Sequence, residues 1–184
     1  MGHNIMSFQT SAGGGNGGGG VWEELANVSG TGVDELASGT IDAKKFLDIQ
    51  VYINNTSGSG NQNFQLNFND DEWDDSNTKY ASQETHSYSH GTAGRANQPT
   101  WYWGVGFTRA DEFYGHTYIV NYEDQMKIGL PMDVCIGYGD ATTAPYSQFM
   151  RGVWDDTAQI TKITASINPS YGDGDWFMYV MGHD

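Results

Sequence analysis

Phe46–Ile53 reads FLDIQVYI and Asn63–Phe68 reads NFQLNF. In the first stretch Leu47, Ile49, Val51 and Ile53 fall on one side, and Asp48, Gln50 and Tyr52 on the other. In the second, Phe64, Leu66 and Phe68 alternate with Gln65 and Asn67. A period of two is the signature of a strand with one buried face, because successive side chains point to opposite sides of the pleat. The intervening NNTSGSG, Asn54 to Gly60, is turn chemistry. The pair therefore reads as a hairpin with a long connection, its seven apolar side chains sharing a core.

The same reading extends along the chain. Further strands are expected at Trp101–Phe107, His116–Tyr122, Val134–Tyr138, Ser147–Trp154, Ile160–Ile167 and Trp176–Met181. In ITKITASI the inward set is Ile163, Ala165 and Ile167. Val21–Val28 and Val33–Thr40 are weaker strand candidates, and Trp73 to Pro99 reads as a polar surface excursion. Short strands separated by Gly, Asn and Asp turns, with no long 3.6-residue period, indicate an all-β fold. The expected form is an antiparallel β-sandwich, jelly-roll-like, over residues 21–184.

Composition agrees. Of 184 residues 25 are glycine, about twice the usual share, while charged residues make up only 17%. Eight basic residues face 23 acidic ones, a formal charge of −15. Nucleic acid and anionic membrane surfaces would be repelled by that balance, so neither is an expected partner. No apolar run is long enough to cross a bilayer as a helix. Met1 to Thr10 has neither the basic start nor the apolar centre of a signal peptide. Cys135 is the only cysteine and has no intrachain partner for a disulfide.

Residues 1–20 differ in kind. Ser11 to Gly20 reads SAGGGNGGGG, a flexible tether that could extend about 33–36 Å. Ahead of it stand Ile5, Met6 and Phe8. They can serve as an anchor docking on another protein, with the glycines holding the folded domain at a distance.

Chemistry is sparse. Asp70, Asp71, Glu72, Asp74 and Asp75 crowd around Trp73 and offer hard oxygen ligands, but without the spacing or glycine of an EF-hand loop. Mutual repulsion in a solvated loop is the simpler reading. His86 and His90 would stand about 13 Å apart on a strand, too far for one metal ion. His116 reads as a hydrogen-bonded strand residue and His183 as a frayed terminal one. Cys135, between Val134 and Ile136, reads as a small buried hydrophobe. No nucleophile elbow, phosphate loop or HExxH motif occurs. No catalytic residue, cofactor or metal is therefore expected. The aromatic residues are more informative, because exposed rings stack on sugars or anchor interfaces. Trp73, Tyr80, Trp101, Trp103 and Tyr114 are the candidate ligand-facing set. Phe113, Tyr88 and Tyr146 also fall at expected strand ends or loops.

One pattern spans Val21 to Gly182. VWEELANVSG is followed by FLDIQVYI, the Asn/Ser/Gly loop, and a strand ending in Leu66, Phe68, Asn69 and Asp71, then Tyr80 and Ala81. Near the end come GVWDDTAQITKITASI and YGDGDWFMYVMG. The whole resembles a β-sandwich module of tailed-bacteriophage virion surface proteins. The resemblance implies a non-enzymatic structural role. The expected protein is a capsid decoration or short-spike protein held by its N-terminal arm. The alternatives are a tail-fibre or tail-tip receptor-binding subunit and a carbohydrate-binding, lectin-like module. Implied partners are other capsid or tail proteins, a second copy of the chain and a host-surface glycan. The implied location is the virion surface, after assembly in the host cytoplasm.

Overall fold

The computed structural model describes residues 20–54, 62–71, 79–88, 91–94, 98–100, 103–108, 112–136, 146–167 and 174–184. The N-terminal anchor, most of the glycine tether and the acidic residues 72–75 lie outside this set. Among the described residues there are strands and no helix. The strands are β1 (Glu23–Val33), β2 (Glu35–Thr40), β3 (Phe46–Asn54), β4 (Gln62–Phe68), β5 (Tyr80–Tyr88), β6 (Gly91–Gly94) and β7 (Gln98–Thr100). They continue with β8 (Trp103–Thr108), β9 (Glu112–Val120), β10 (Lys127–Ile136), β11 (Tyr146–Trp154), β12 (Lys162–Ile167) and β13 (Gly174–His183). The polar excursion expected from Trp73 to Pro99 is in part strand, since β5 to β7 fall within or overlap it.

Two antiparallel sheets result. The large one runs β1-β13-β3-β9-β10-β11-β5-β6, with β7 also on β5, and the small one runs β2-β12-β4-β8. The expected β3–β4 hairpin does not form: β3 joins the large sheet and β4 the small one. The seven side chains expected to turn inward are buried, none more than 2% exposed. They meet across the space between the sheets rather than along one ladder. Phe64 of β4 lies 4.8 Å from the ring of Phe113 on β9 and 6.0 Å from Trp176 on β13. Phe68 lies 5.5 Å from Trp154 on β11. Alternation dictates which side chains turn inward; it does not dictate which sheet a strand joins. This all-β, face-to-face arrangement is compatible with the expected sandwich.

The inner face of β9 needs a glycine. A Cβ on Gly115 would stand 3.0 Å from the Phe113 ring, in the space that lets Phe113 and Phe64 approach. On β12 the inward set is Ile163, Ala165 and Ile167, as expected, and Ile160 is buried just ahead of the strand.

Two asparagines close one end of the core. Asn121 follows β9; its Oδ1 accepts the Ile160 N–H at 2.7 Å and its Nδ2 donates to the Lys44 carbonyl at 2.9 Å. Asn69 follows β4 in a left-handed conformation, φ 54°, which asparagine tolerates well. Its Oδ1 accepts from the Thr161 amide at 2.8 Å, and its Nδ2 donates to the Gln159 carbonyl at 2.8 Å. The segment entering β12 is thus held from both sheets, and its backbone groups are satisfied without a ladder.

Lys127 is the least expected member of the interior. It is fully buried, and its ammonium donates to the carbonyls of Gln125, Asp156 at 3.0 Å and Thr157 at 3.3 Å. It stands 6.0 Å from the centre of the Trp154 ring. Burial pushes its pKa down, against the opposing pull of Asp156, Asp124 and Glu123.

Candidate functional site

The small sheet covers one side of β13, β3 and β9. The other side of these strands, continued by β10 and β11, faces outward. Strand register aligns its side chains in rows. Phe177, Tyr52 and Tyr114 are cross-strand partners in one row, and Tyr179, Gln50 and His116 form the next. Met181, Asp48 and Tyr118 form a third. Adjacent strands lie about 4.8 Å apart, so each three-residue row is about 10 Å wide.

Polar contacts are concentrated in the middle of this face. His116 Nε2 lies 3.1 Å from Asp48 Oδ2, an ion-pair distance at which the directional geometry of a hydrogen bond is not met. Gln50 Nε2 donates to Asp48 Oδ1 at 3.2 Å, and the Tyr114 hydroxyl donates to Gln50 Oε1 at 3.3 Å. Partial burial raises the Asp48 pKa, but His116 and Gln50 outweigh it and hold the carboxyl below its ordinary range. The same carboxylate raises the His116 pKa against the opposing effect of burial. Two further carboxylates stand beside phenols, Glu112 beside Tyr52 and Glu24 beside Tyr179. Burial first and then these carboxylates raise both phenol pKa values, keeping the hydroxyls protonated.

Toward β10 and β11 the face turns apolar. Ile128 is 55% exposed, Leu130 54% and Phe149 61%. Tyr122 and Met126 are exposed at the adjoining turn. At the same end the chain enters β1 over this face. Trp22 packs edge-on against His183 at 4.4 Å and lies 6.0 Å from Tyr118. His183 also stacks on Phe46 at 4.7 Å. The histidine expected to be frayed is thus a member of β13 with a ring on either side.

The candidate residues read from the sequence separate as follows. Tyr114 lies on the outer face and is exposed. Tyr80 does not face a ligand: it is buried at 1% exposure, its hydroxyl oxygen accepting the Phe68 N–H at 3.1 Å. Its ring fills the core beside Phe68 and Trp154, which is the physical reason it turns inward. Phe113 is buried in the same core. Trp103 opens β8, paired in register with Leu66. Ile5, Met6, Phe8, Trp73 and Trp101 lie outside the described residues.

Of the acidic cluster, Asp70 pairs with Lys162 and Asp71 with Lys79 at 3.5 Å. Asp71 Oδ2 also accepts the Trp154 indole N–H at 2.9 Å. Two of the acids expected to form a repelling loop tip are therefore ion-paired, and one supports a core tryptophan. Among the described residues no three His, Cys, Asp or Glu side chains are grouped to hold a metal ion. His116 sits in β9 as expected. Its partner Asp48 was legible only as an outward residue of β3, because nothing in the sequence indicates that β3 and β9 are neighbours.

The chain matches no protein-family model, no curated relative and no solved structure.

Proposed function

We propose that the protein is a non-enzymatic structural component of a phage virion surface, a decoration or short-spike protein. Its N-terminal arm, with Ile5, Met6 and Phe8, attaches it to a capsid or tail protein. The observation that carries this reading is the apolar stretch Ile128, Leu130 and Phe149, which is exposed among the described residues. A water-facing sheet surface gains nothing from such side chains, and contiguous exposed apolar surface marks contact with another protein. The stretch lies on the face where Trp22 brings in the chain from the tether, so arm and face can engage one neighbour together.

Strand order supports the fold side of the proposal. Within the large sheet β1-β13-β3-β9 runs in the same sequence as β2-β12-β4-β8 in the small one. Each of the pairs β1/β2, β3/β4, β8/β9 and β12/β13 is consecutive in the chain and divided between the sheets. This order supports reading the domain as a jelly roll, with β10, β11 and β5 to β7 as an extension of one sheet. Jelly rolls are frequent among capsid and lectin domains. The reading also places the protein on the virion surface after assembly in the host cytoplasm.

The test is co-purification. Mass spectrometry of density-banded particles from the source culture is expected to find the chain at a fixed stoichiometry to the major shell protein. A chain starting at Val21, or one carrying Leu130→Asp, is expected to be lost from particles on washing. Absence from particles, or full occupancy by both altered chains, would sink the proposal.

A further inference from the structure

We propose that the outer face of β13, β3 and β9 is a binding site for a neutral saccharide. The inference does not rest on the virion assignment; it requires only this surface. Three observations carry it. First, register places Phe177, Tyr52 and Tyr114 side by side, and the Phe177 and Tyr52 ring centres are 6.2 Å apart. Phe177 and Tyr114 are 43% and 40% exposed, so the row meets solvent as a ledge of ring surface about 10 Å wide. A sugar ring presents a face of C–H groups that such a ledge can take up, as aromatic surfaces take up other apolar faces.

Second, hydrogen-bonding groups flank the ledge at a spacing fixed by the strands. Gln50 and His116 lie one row away, about 7 Å along the strand, with Asp48 beyond them. Asp48 accepts from Gln50, and Gln50 accepts from Tyr114. A carboxylate has about four acceptor positions and an amide has two acceptor and two donor positions, so both keep capacity for a ligand. His116 Nε2 is itself buried against Asp48, so the groups on this side left to meet a ligand are Asp48 and Gln50. The chain thus offers a linked series of acceptors and donors beside ring surface, which is the complement of a polyhydroxylated ring.

Third, charge selects the class. The chain carries a net −15, with Glu112 beside Tyr52 of the ledge and Glu24 beside Tyr179 of the next row, so uronic or sialic acids are disfavoured. A cationic ligand would be attracted by the same charge and by the rings. It would, however, have to compete with His116 for Asp48, the one carboxylate placed centrally among the rows. The Asp48 carboxylate already lies 3.1 Å from His116 Nε2 and accepts from Gln50, so the centre suits an uncharged ligand that takes up its remaining acceptor positions.

The experiment uses the full chain against a glycan array containing neutral, uronic and sialylated glycans and an arginine-rich peptide. The strongest neutral glycan on the array is then titrated by calorimetry. Tyr114→Ala and Phe177→Ala are expected to weaken that binding about tenfold or more each, the loss of one stacked ring. Met126→Ser, at the exposed turn outside the cluster, is expected to bind as the parent chain does. A measurement independent of any variant is the imidazole resonance of His116, which is expected to shift on adding the glycan to the unaltered chain. The proposal is overturned if no neutral glycan binds, or if only the arginine-rich peptide or the acidic glycans do. Binding that leaves His116 unmoved, or that survives loss of both rings, overturns it equally. Loss of glycan binding would leave the particle co-purification unaffected, so the two proposals fail separately.

Discussion

On β3 the inward residues Leu47, Ile49, Val51 and Ile53 are at most 2% exposed, whereas on β10 and β11 the outward Ile128, Leu130 and Phe149 are 54% to 61% exposed. All seven side chains are large and apolar. What separates them is the second sheet: β4 and β12 lie over the first group, and nothing in the chain described lies over the second. Burial in this molecule is a property of coverage, and an apolar strand face left uncovered points to a use. Phe46, Asp48, Gln50 and Tyr52, on the outward side of β3, stand between the two extremes as half-buried residues that mix rings with hydrogen-bonding groups.

The strongest test of this contrast is on a single strand. Ile49→Ala is expected to cost about 2–5 kcal/mol in chemical denaturation, the usual range for deleting a buried branched side chain. Gln50→Ala, one residue on, is expected to cost about 0.5 kcal/mol or less. Comparable costs would mean that the outward face is packed as tightly as the inward one.

Next in size is the seam that ties the sheets together. Asn121→Ala leaves the Ile160 N–H buried without its acceptor, and an unsatisfied buried group costs about 1–3 kcal/mol. A thermal melt of this variant is expected to fall clearly below that of the parent. An unchanged melting point would show that the Ile160 amide finds another partner and that packing alone joins the sheets.

On the uncovered face, Ile128→Ser and Leu130→Ser are expected to change stability by no more than about 0.5 kcal/mol, since their side chains are half in water. A loss as large as that of Ile49→Ala would mean that this stretch is core within the chain and is not available to a partner.

The smallest effect is electrostatic. The His116 pKa is raised above its ordinary 6.5, so its contribution is complete below that value and is lost as pH rises through the raised value. The Asp48 pKa is lowered below 3.8, so its contribution is complete above that value and is lost as pH falls through the lowered one. The pair is therefore at full strength between those two ordinary values. Asp48→Asn is expected to bring the His116 titration, followed by NMR, down toward the ordinary range. A titration that stays raised would assign the shift to a different neighbour.

Much of this was legible in the sequence, for a local reason. FLDIQVYI and NFQLNF sort their side chains by a period of two, and every inward residue so assigned is buried. TKITAS needed one further step, choosing between two alternating sets, and its apolar set is the inward one. The signal failed where a strand lacks alternation. Around Pro131 a strand is expected only at Val134–Tyr138, yet β10 begins at Lys127 and runs through Gly129 and Pro131 between β9 and β11. The polar YASQETHSY reads as surface loop, yet it pairs along its length with β11. Tyr80 was placed outward because it opens that polar stretch.

Where a strand alternates, its position and inward face were determined by the sequence, because a strand's pleat turns a pattern of neighbours into two sides. Which strands pair was decided only in three dimensions. β3 and β4 are consecutive and equally apolar, yet they face one another from opposite sheets. His116 finds Asp48, 68 positions earlier, only because β9 lies against β3. Lys127 could be read only as a surface cation; its burial depends on the carbonyls of Gln125, Asp156 and Thr157 converging on its ammonium. The outward rows of rings and polar groups have the same origin: each contributes one residue from three strands distant in sequence, and their alignment is a consequence of register alone.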